Sequence, residues 1–596
     1  MRKPWSISTT VRNPERLREF LRVLKTLEGQ KFDDANQEKY QILLIHERLY
    51  SPKKIPSKYQ ILFNDLSQKI PFEVAKEIFN HQNYKDPAMR GRQSANPLNK
   101  LGFSIARTNY DVIKITKLGD FFLSEDYDIS KVFLKSLLKL QFPNPWSEKF
   151  RCESGFNISP FITVLHFLNR IGTLTRDEFC LFIPTLVNYK EIDDYVKKVQ
   201  EYRKTKDKKS YVESFLKEFY QVKTLTSEQK NNLFDYGDNI MRYFRLTKYF
   251  KILKETLRRW KIELEPSREK EISQLLNIYD GSIAEYKNVE QYLDYLSDFS
   301  LPKLPWETDI NKTKEVVTSL KSLLKEDYAI LKESIKIKVK KEFERLYQID
   351  TKKLSLPKIE KTIEEIRIFR LNLKQISEGE NLRKNLSELK IIISQLKEKS
   401  FLREIEPVDF EYIIFKALKI LNDELILKPN CILDDEGKPI GFAPGNKPDI
   451  EGLYKSFNAI IEVTLDISRN QVYRESMPVM RHLRDFEIKN NGRESYCIFI
   501  APRIHEDTNN YFWFSIKSGY DGKKQKIISL DLPNFLLILE FFVKMTEQEK
   551  IFNHEKILIL LNRILADANK KDSSVEWLNA IPTQIQEWQK EVFNDE

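Results

Sequence analysis

Asp449 and Glu462 are the residues of this chain whose types and spacing suit chemistry. They stand about a dozen residues apart, in a stretch that reads as a hairpin. Pro444, Gly445 and Asn446 make a turn-rich loop ending at Pro448-Asp449. Ile450 to Tyr454 reads as a short strand, Lys455-Ser456 as a polar turn, and Phe457 to Leu465 as a second, almost wholly apolar strand. Glu462 interrupts that apolar run. A carboxylate inside a buried strand costs several kcal/mol unless it is paired or bound to a metal. Carboxylates on adjacent strands of a hairpin meet across the ladder at roughly 5 Å. That gap suits one Mg2+ with oxygen ligands near ~2.1 Å. The chemistry such a pair serves is phosphodiester hydrolysis, which needs charge neutralised at the phosphate and a water made nucleophilic. The competing reading is an edge Asp beside a turn and a Glu at a strand end.

The arrangement resembles the PD-(D/E)xK nuclease motif. Pro448 and Asp449 match its first two positions, Glu462-Val463 match the next, and Thr464 stands where the motif has Lys.

The elements that must position these residues can be read around them. Glu406-Pro407 opens a helix ending near Asn422, on which Glu411, Ile414, Leu418 and Leu421 share one stripe. Glu411 is thus a candidate third carboxylate, or else a peripheral side chain leaving the first turn. After a polar stretch from Asp466 to Arg474, Tyr496 to Pro502 is a buried strand, Ile527 to Leu530 another, and helices follow. Helix, hairpin, helix and strand give an α/β domain over residues 401–596. Residues 301–400 read as a helical linker. Its apolar positions repeat at Val316, Leu320, Leu323, Leu324, Ile330 and Leu331, at Ile359, Ile363, Ile366, Phe369 and Leu373, and at Leu386, Leu389, Ile393 and Leu396.

Residues 1–300 carry a different chemistry. Pro4 to Val11 alternates like a strand. Pro71 to Phe79 reads as a helix, Ala88 to Phe103 as a polar helix complicated by Pro97, and Asp111 onward as a strand, a turn and a helix. That order outlines a winged helix-turn-helix, and it recurs from Phe161 to Glu178 and from Asp238 to the wing-like strand Arg258 to Leu264. Arg with Asn or Gln on one helix is the chemistry that reads base edges in a major groove. The expected DNA contacts are Arg90, Arg92, Gln93, Asn96, Lys100, Arg107, Arg242 and Arg245. The competing reading is solvated loops and helix faces.

Composition sets the frame. A chain of 596 residues exceeds one core. Lys+Arg 99 against Asp+Glu 88 gives a net charge of +11, which suits a nucleic-acid partner without requiring one. The four Cys (Cys152, Cys180, Cys431, Cys497) lack CxxC spacing, so a disulfide framework or structural zinc is not expected, and a reducing cytoplasm fits. No signal peptide is read at the N-terminus, and the apolar run Phe535 to Val543 is too short to span a bilayer.

Over essentially its whole length the chain resembles the AlwI-type family of type IIS restriction endonucleases, which includes strand-nicking members. The resemblance is carried by Lys3-Pro4-Trp5-Ser6-Ile7-Ser8, Gly445-Asn446-Lys447-Pro448-Asp449, Ile461-Glu462-Val463-Thr464, the segment Glu475 to His482, and Tyr496 to Pro502. It implies a multidomain, mainly α protein with amino-terminal winged-helix-like DNA recognition, a helical linker and a carboxy-terminal PD-(D/E)xK-like domain that cuts DNA with Mg2+. It implies a site of Asp449, Glu462, Glu475 and Glu411, with His482 close by. Asp449, Glu462 and Glu411 are then the metal ligands, and Glu475 or His482 orients or deprotonates the water. The family itself departs from the motif Lys, so Thr464 is consistent with the match. The implied partners are double-stranded DNA, a cognate methyltransferase, and a second copy or a small nuclease subunit for double-strand cleavage. The competing function is a non-catalytic winged-helix DNA-binding regulator with a degenerate nuclease domain.

Overall fold

The computed structural model describes the chain except Met1, Thr9, residues 65–68, Asn109, Asp111, residues 125–126, 146–154, 257–258, Lys384, residues 422–423, Asn446 and residues 595–596. Cys152, Arg258 and Asn446, singled out above, lie outside the described residues. The fold is mostly helical with small sheets, and it divides into two compact units: residues 1–56 with 70–371, and residues 57–69 with 372–596. No described helix is long and apolar enough to cross a membrane.

In the first unit the Ala88–Lys100 helix runs unbroken through Pro97. A proline there removes one N–H from the helix ladder, and burial of Ala95, Leu98 and Asn99 on either side holds the helix together. It packs against the Asp34–His46 helix so closely that a Cβ on Gly91 would stand 2.0 Å from the Gln37 carbonyl oxygen. A short antiparallel pair follows, β1 (Ser104–Ile105) with β2 (Lys114–Ile115). A three-stranded antiparallel sheet is built from β3 (Leu174–Thr175), β4 (Phe250–Thr256) and β5 (Arg259–Leu264), in the order β3-β5-β4. Helices Pro160–Ile171, Arg176–Phe182 and Ser227–Arg245 accompany it, the second started by a Thr175/Glu178 capping box.

The described residues between Pro4 and Val11 form no strand. The Trp5 backbone N–H donates to the Pro184 carbonyl at 2.9 Å, and its indole Nε1 donates to the Ile183 and Leu186 carbonyls. The segment therefore serves as a buried plug, and its alternation reflects that packing. Helices cover 310–329, 333–347, 356–382 and 386–397. The expected apolar stripes are largely buried, but Ile330 is 69% exposed where its helix ends.

The second unit is organised by a mixed sheet in the order β12-β11-β10-β9-β6. Its strands are β6 (Ile426–Pro429), β9 (Ile450–Leu453), β10 (Asn458–Val463), β11 (Ser495–Ala501) and β12 (Ile527–Asp531), with β7 (Ile432–Leu433) and β8 (Pro439–Gly441) pairing separately. β10, β11 and β12 run parallel, and β9 is antiparallel to both its neighbours, β10 and β6. Every residue of β10 is buried, as befits a central strand covered on both faces. The Asn470–Lys489 helix packs Val479, Met480, Leu483 and Phe486 onto Ile460, Cys497 and Phe499.

Candidate active site

The β9–β10 ladder pairs Ile450 with Ile461. Asp449, one residue before β9, therefore sits beside Glu462, one residue after Ile461. The Asp449 carboxylate crosses to β10, where its Oδ2 accepts the Val463 backbone N–H at 2.8 Å. The loop ahead of β9 is held from the other side. Asn430, 8% exposed just past β6, donates its backbone N–H to the Asp449 carbonyl and its side-chain Nδ2 to the Pro448 carbonyl, each at 2.8 Å. Sequence reasoning missed Asn430, because only the β6–β9 register places it opposite Pro448-Asp449.

Two helices complete the site. Glu411 lies in the Pro407–Leu421 helix among the buried Val408, Ile414 and Phe415. Glu475 and His482 both belong to the Asn470–Lys489 helix, and two turns of helix return them to the same face. The His482 Nδ1 lies 2.8 Å from Glu462 Oε1. The Thr464 hydroxyl donates to the Glu475 carboxylate, so the residue in the place of the motif Lys serves one of the site's acids.

The electrostatics are those of crowded, desolvated acids. Burial pushes the Glu411, Asp449 and Glu462 carboxyls well above the usual carboxylate range, and repulsion among these acids and Glu475 adds to it. Asp449 keeps part of its surface open while its surroundings are densely packed, and the shift follows those surroundings. Burial raises Glu475 to about 7, against the opposing Thr464 hydrogen bond. His482 is lowered to about 4, first by burial and then by Arg481. Contact with Glu462 would by itself raise it. Burial prevails, so the imidazole is neutral and hydrogen-bonds the Glu462 carboxyl through Nδ1.

Among the described residues no lysine or arginine pairs with Glu411, Asp449, Glu462 or Glu475. A hard, oxygen-seeking divalent cation fits that donor set. Among the described residues, no three His, Cys, Asp or Glu side chains form a ready-made cage.

The expected DNA contacts are scattered within the first unit. Arg92, Gln93, Asn96 and Arg107 line one cavity of about 580 Å3. Arg90 stacks over the Tyr84 ring at 4.7 Å. The Lys100 Nζ donates to the Ser6 and Ile7 carbonyls. The Arg242 Nη1 donates to Asn13 Oδ1 at 3.2 Å. Arg245 is 1% exposed and lies 4.0 Å from Glu15, which makes it a core cation that a duplex does not reach.

A family model described as AlwI restriction endonuclease matches residues 99–538. No curated protein matches the chain. Among solved structures, one similar to it is the small subunit (R.BspD6I2) of the heterodimeric restriction endonuclease R.BspD6I. That match has 27% identity over 32% of this chain and 95% of the other, with a TM-score of 0.27. The BpuJ1 endonuclease binding domain, in complex with pyrene- and phenanthrene-modified DNA, matches at 12% identity over 49% of this chain and 96% of the other, TM-score 0.30. Restriction endonuclease FokI matches at 12% identity over 93% and 98%, TM-score 0.22.

Proposed function

Because the chain belongs to the AlwI restriction endonuclease family, it is a sequence-specific DNA endonuclease, and we propose that it recognises a short asymmetric duplex site and hydrolyses phosphodiester bonds outside that site with Mg2+. The observation that carries this reading is the cluster of four desolvated carboxylates with no cationic side chain paired to them. Such a cluster opposes folding unless a cation joins it. A DNA-binding regulator with a decayed nuclease domain would have no reason to keep it.

Asp449 and Glu462 are the ligands that would hold Mg2+, and Glu411 adds a third carboxylate. When bound, the ion neutralises charge on the scissile phosphate and acidifies a water. The chain's own residues do the rest. His482 Nδ1 fixes the Glu462 carboxylate and orients it. Asn430 and the Val463 N–H fix Asp449. Glu475, with a carboxyl near neutrality, takes the proton from the attacking water at its carboxylate oxygen, the task a Lys performs in the general motif.

The PD-(D/E)xK assignment is supported by Pro448-Asp449 and Glu462 on neighbouring strands of a mixed sheet. A winged-helix reading of the first unit is supported by the order helix, β3, helix, later helix, then the β4–β5 hairpin. The working division is recognition in residues 1–300, linker in 301–400 and cleavage in 401–596. Duplex DNA is the partner, a cognate methyltransferase protects the host site, and a second copy or a small nuclease subunit supplies the second cut. The test is cleavage of plasmid DNA in Mg2+ against EDTA, for the native chain and for Asp449→Ala and Glu462→Ala. Each variant should lose cutting and keep specific duplex binding. Cutting by either above a few per cent of the native rate overturns the assignment.

A further inference from the structure

The Ala88–Lys100 helix packs one face into the first unit and leaves the other over a cavity. One face is fixed to the Asp34–His46 helix through the Gly91–Gln37 approach and through Ser94, whose Oγ donates to Gln41 Oε1 at 2.9 Å with both side chains fully buried. A major groove is read by an element that enters it. Met89, Arg92, Gln93 and Asn96 line the 580 Å3 cavity together with Arg107, Tyr110, Phe32, Asn99 and the carboxylate-bearing Glu290.

The cavity is organised before any ligand arrives. The Asn99 amide is committed, its Nδ2 donating to the Ala106 carbonyl and its Oδ1 accepting from Ser104 Oγ and the Ala106 N–H. Arg92 is tied to Asp34, Asp86 and Gln37. Tyr110 packs against the cluster of Ile105, Tyr292, Leu293 and Leu296. Gln93 and Asn96 differ, since neither side chain makes a hydrogen bond or ion pair with any described residue. Two amides without a side-chain partner therefore share a concavity of ligand size with the Phe32 and Tyr110 rings.

We propose that this cavity takes a single adenine of the recognition site, turned out of the duplex stack. An amide matches the donor and acceptor that adenine presents side by side, and an aromatic ring replaces the stacking lost on leaving the helix. A whole duplex does not fit the cavity, so the base comes to the side chains. The proposal rests on the reading of the chain as a sequence-specific endonuclease and adds how one base pair is read.

The test uses the full chain and a duplex carrying its site, mapped by run-off sequencing. Binding is measured in EDTA by gel shift, with a mismatch introduced in turn at each A·T pair by replacing the thymine. A base already unpaired needs less energy to leave the stack. At one position the mismatch should tighten binding about tenfold, and Gln93→Ala or Asn96→Ala should remove that gain. In that mismatched duplex, hypoxanthine in place of the adenine, lacking the N6 donor, should bind more weakly than the adenine does. If every mismatch leaves binding unchanged or weaker while the unmodified duplex is still cut in Mg2+, the pocket is overturned and the endonuclease reading stands. If no duplex is cut, both fail. The mismatch scan needs only the native chain, so a misfolded variant does not blunt it.

Discussion

His482 Nδ1 and Glu462 Oε1 lie 2.8 Å apart although 20 positions separate them in the chain. The contact joins the Asn470–Lys489 helix to β10. Residues that orient a metal-binding carboxylate change metal affinity or activity by roughly 10- to 100-fold when lost. His482→Ala should raise the Mg2+ concentration for half-maximal cleavage by about that factor, with duplex binding in EDTA unaltered. His482→Asn, which keeps a hydrogen-bonding group near the Nδ1 position, should recover part of the loss. An unchanged Mg2+ titration for His482→Ala would remove His482 from this role.

Cleavage should depend on pH through Glu475. Its carboxyl, raised to about 7 by burial, is protonated below that value and ionised above it. The single-turnover rate should climb about tenfold per pH unit up to about 7 and level off above. His482, lowered to about 4, is neutral throughout and adds no limb of its own. Glu475→Gln should abolish the climb along with most of the rate. A flat profile between about pH 5.5 and 8.5 would show that Glu475 takes no proton.

Stability should respond with the opposite sign. Glu411, Asp449, Glu462 and Glu475 all have folded-state values above the ordinary carboxylate range. The folded chain therefore holds more protons than the unfolded one, and without metal its stability falls as pH rises through and beyond that range. Thermal melts in EDTA should show a lower Tm at about pH 8 than at about pH 5.5. Mg2+ should raise Tm more at the higher pH, where the ligands are ionised. A Tm in EDTA that rises across this window would mean that cationic groups already balance the site.

One carboxylate cluster of this kind is present among the described residues, and the two strands of a duplex offer scissile phosphates of opposite polarity. Supercoiled plasmid with one target should first accumulate nicked circles. Linear product should appear only at high enzyme, or not at all without a partner subunit. Linear product formed with no nicked precursor, at a rate independent of excess enzyme, would show that one chain cuts both strands in one encounter.

The site was more legible in the sequence than the recognition surface, for a physical reason. Asp449 and Glu462 are local to one hairpin, and a charge within the apolar run of β10 is conspicuous. Glu411, Glu475 and His482 were reached through the family resemblance and helix periodicity, and the fold brings all three to the hairpin. Asn430 and the Thr464 hydroxyl act through register and close packing, which no local pattern encodes. Arg245 looks the same in sequence as Arg92, and only tertiary burial distinguishes a core cation from one lining a cavity. The alternation from Pro4 to Val11 has a strand's period without its ladder, since the Trp5 hydrogen bonds go to the carbonyls at 183–186.

The placement of β10 between β9 and β11 means that it is covered only when chain on both sides of it in sequence has folded. During synthesis the ribosome releases Glu411, Asp449, Glu462 and Glu475 before Ser495–Ala501 and Ile527–Asp531, the strands that complete the sheet beside β10. Until those strands emerge, the segment bearing Glu462 lacks the neighbour that buries it, and parallel pairing is slow because its contacts are distant along the chain.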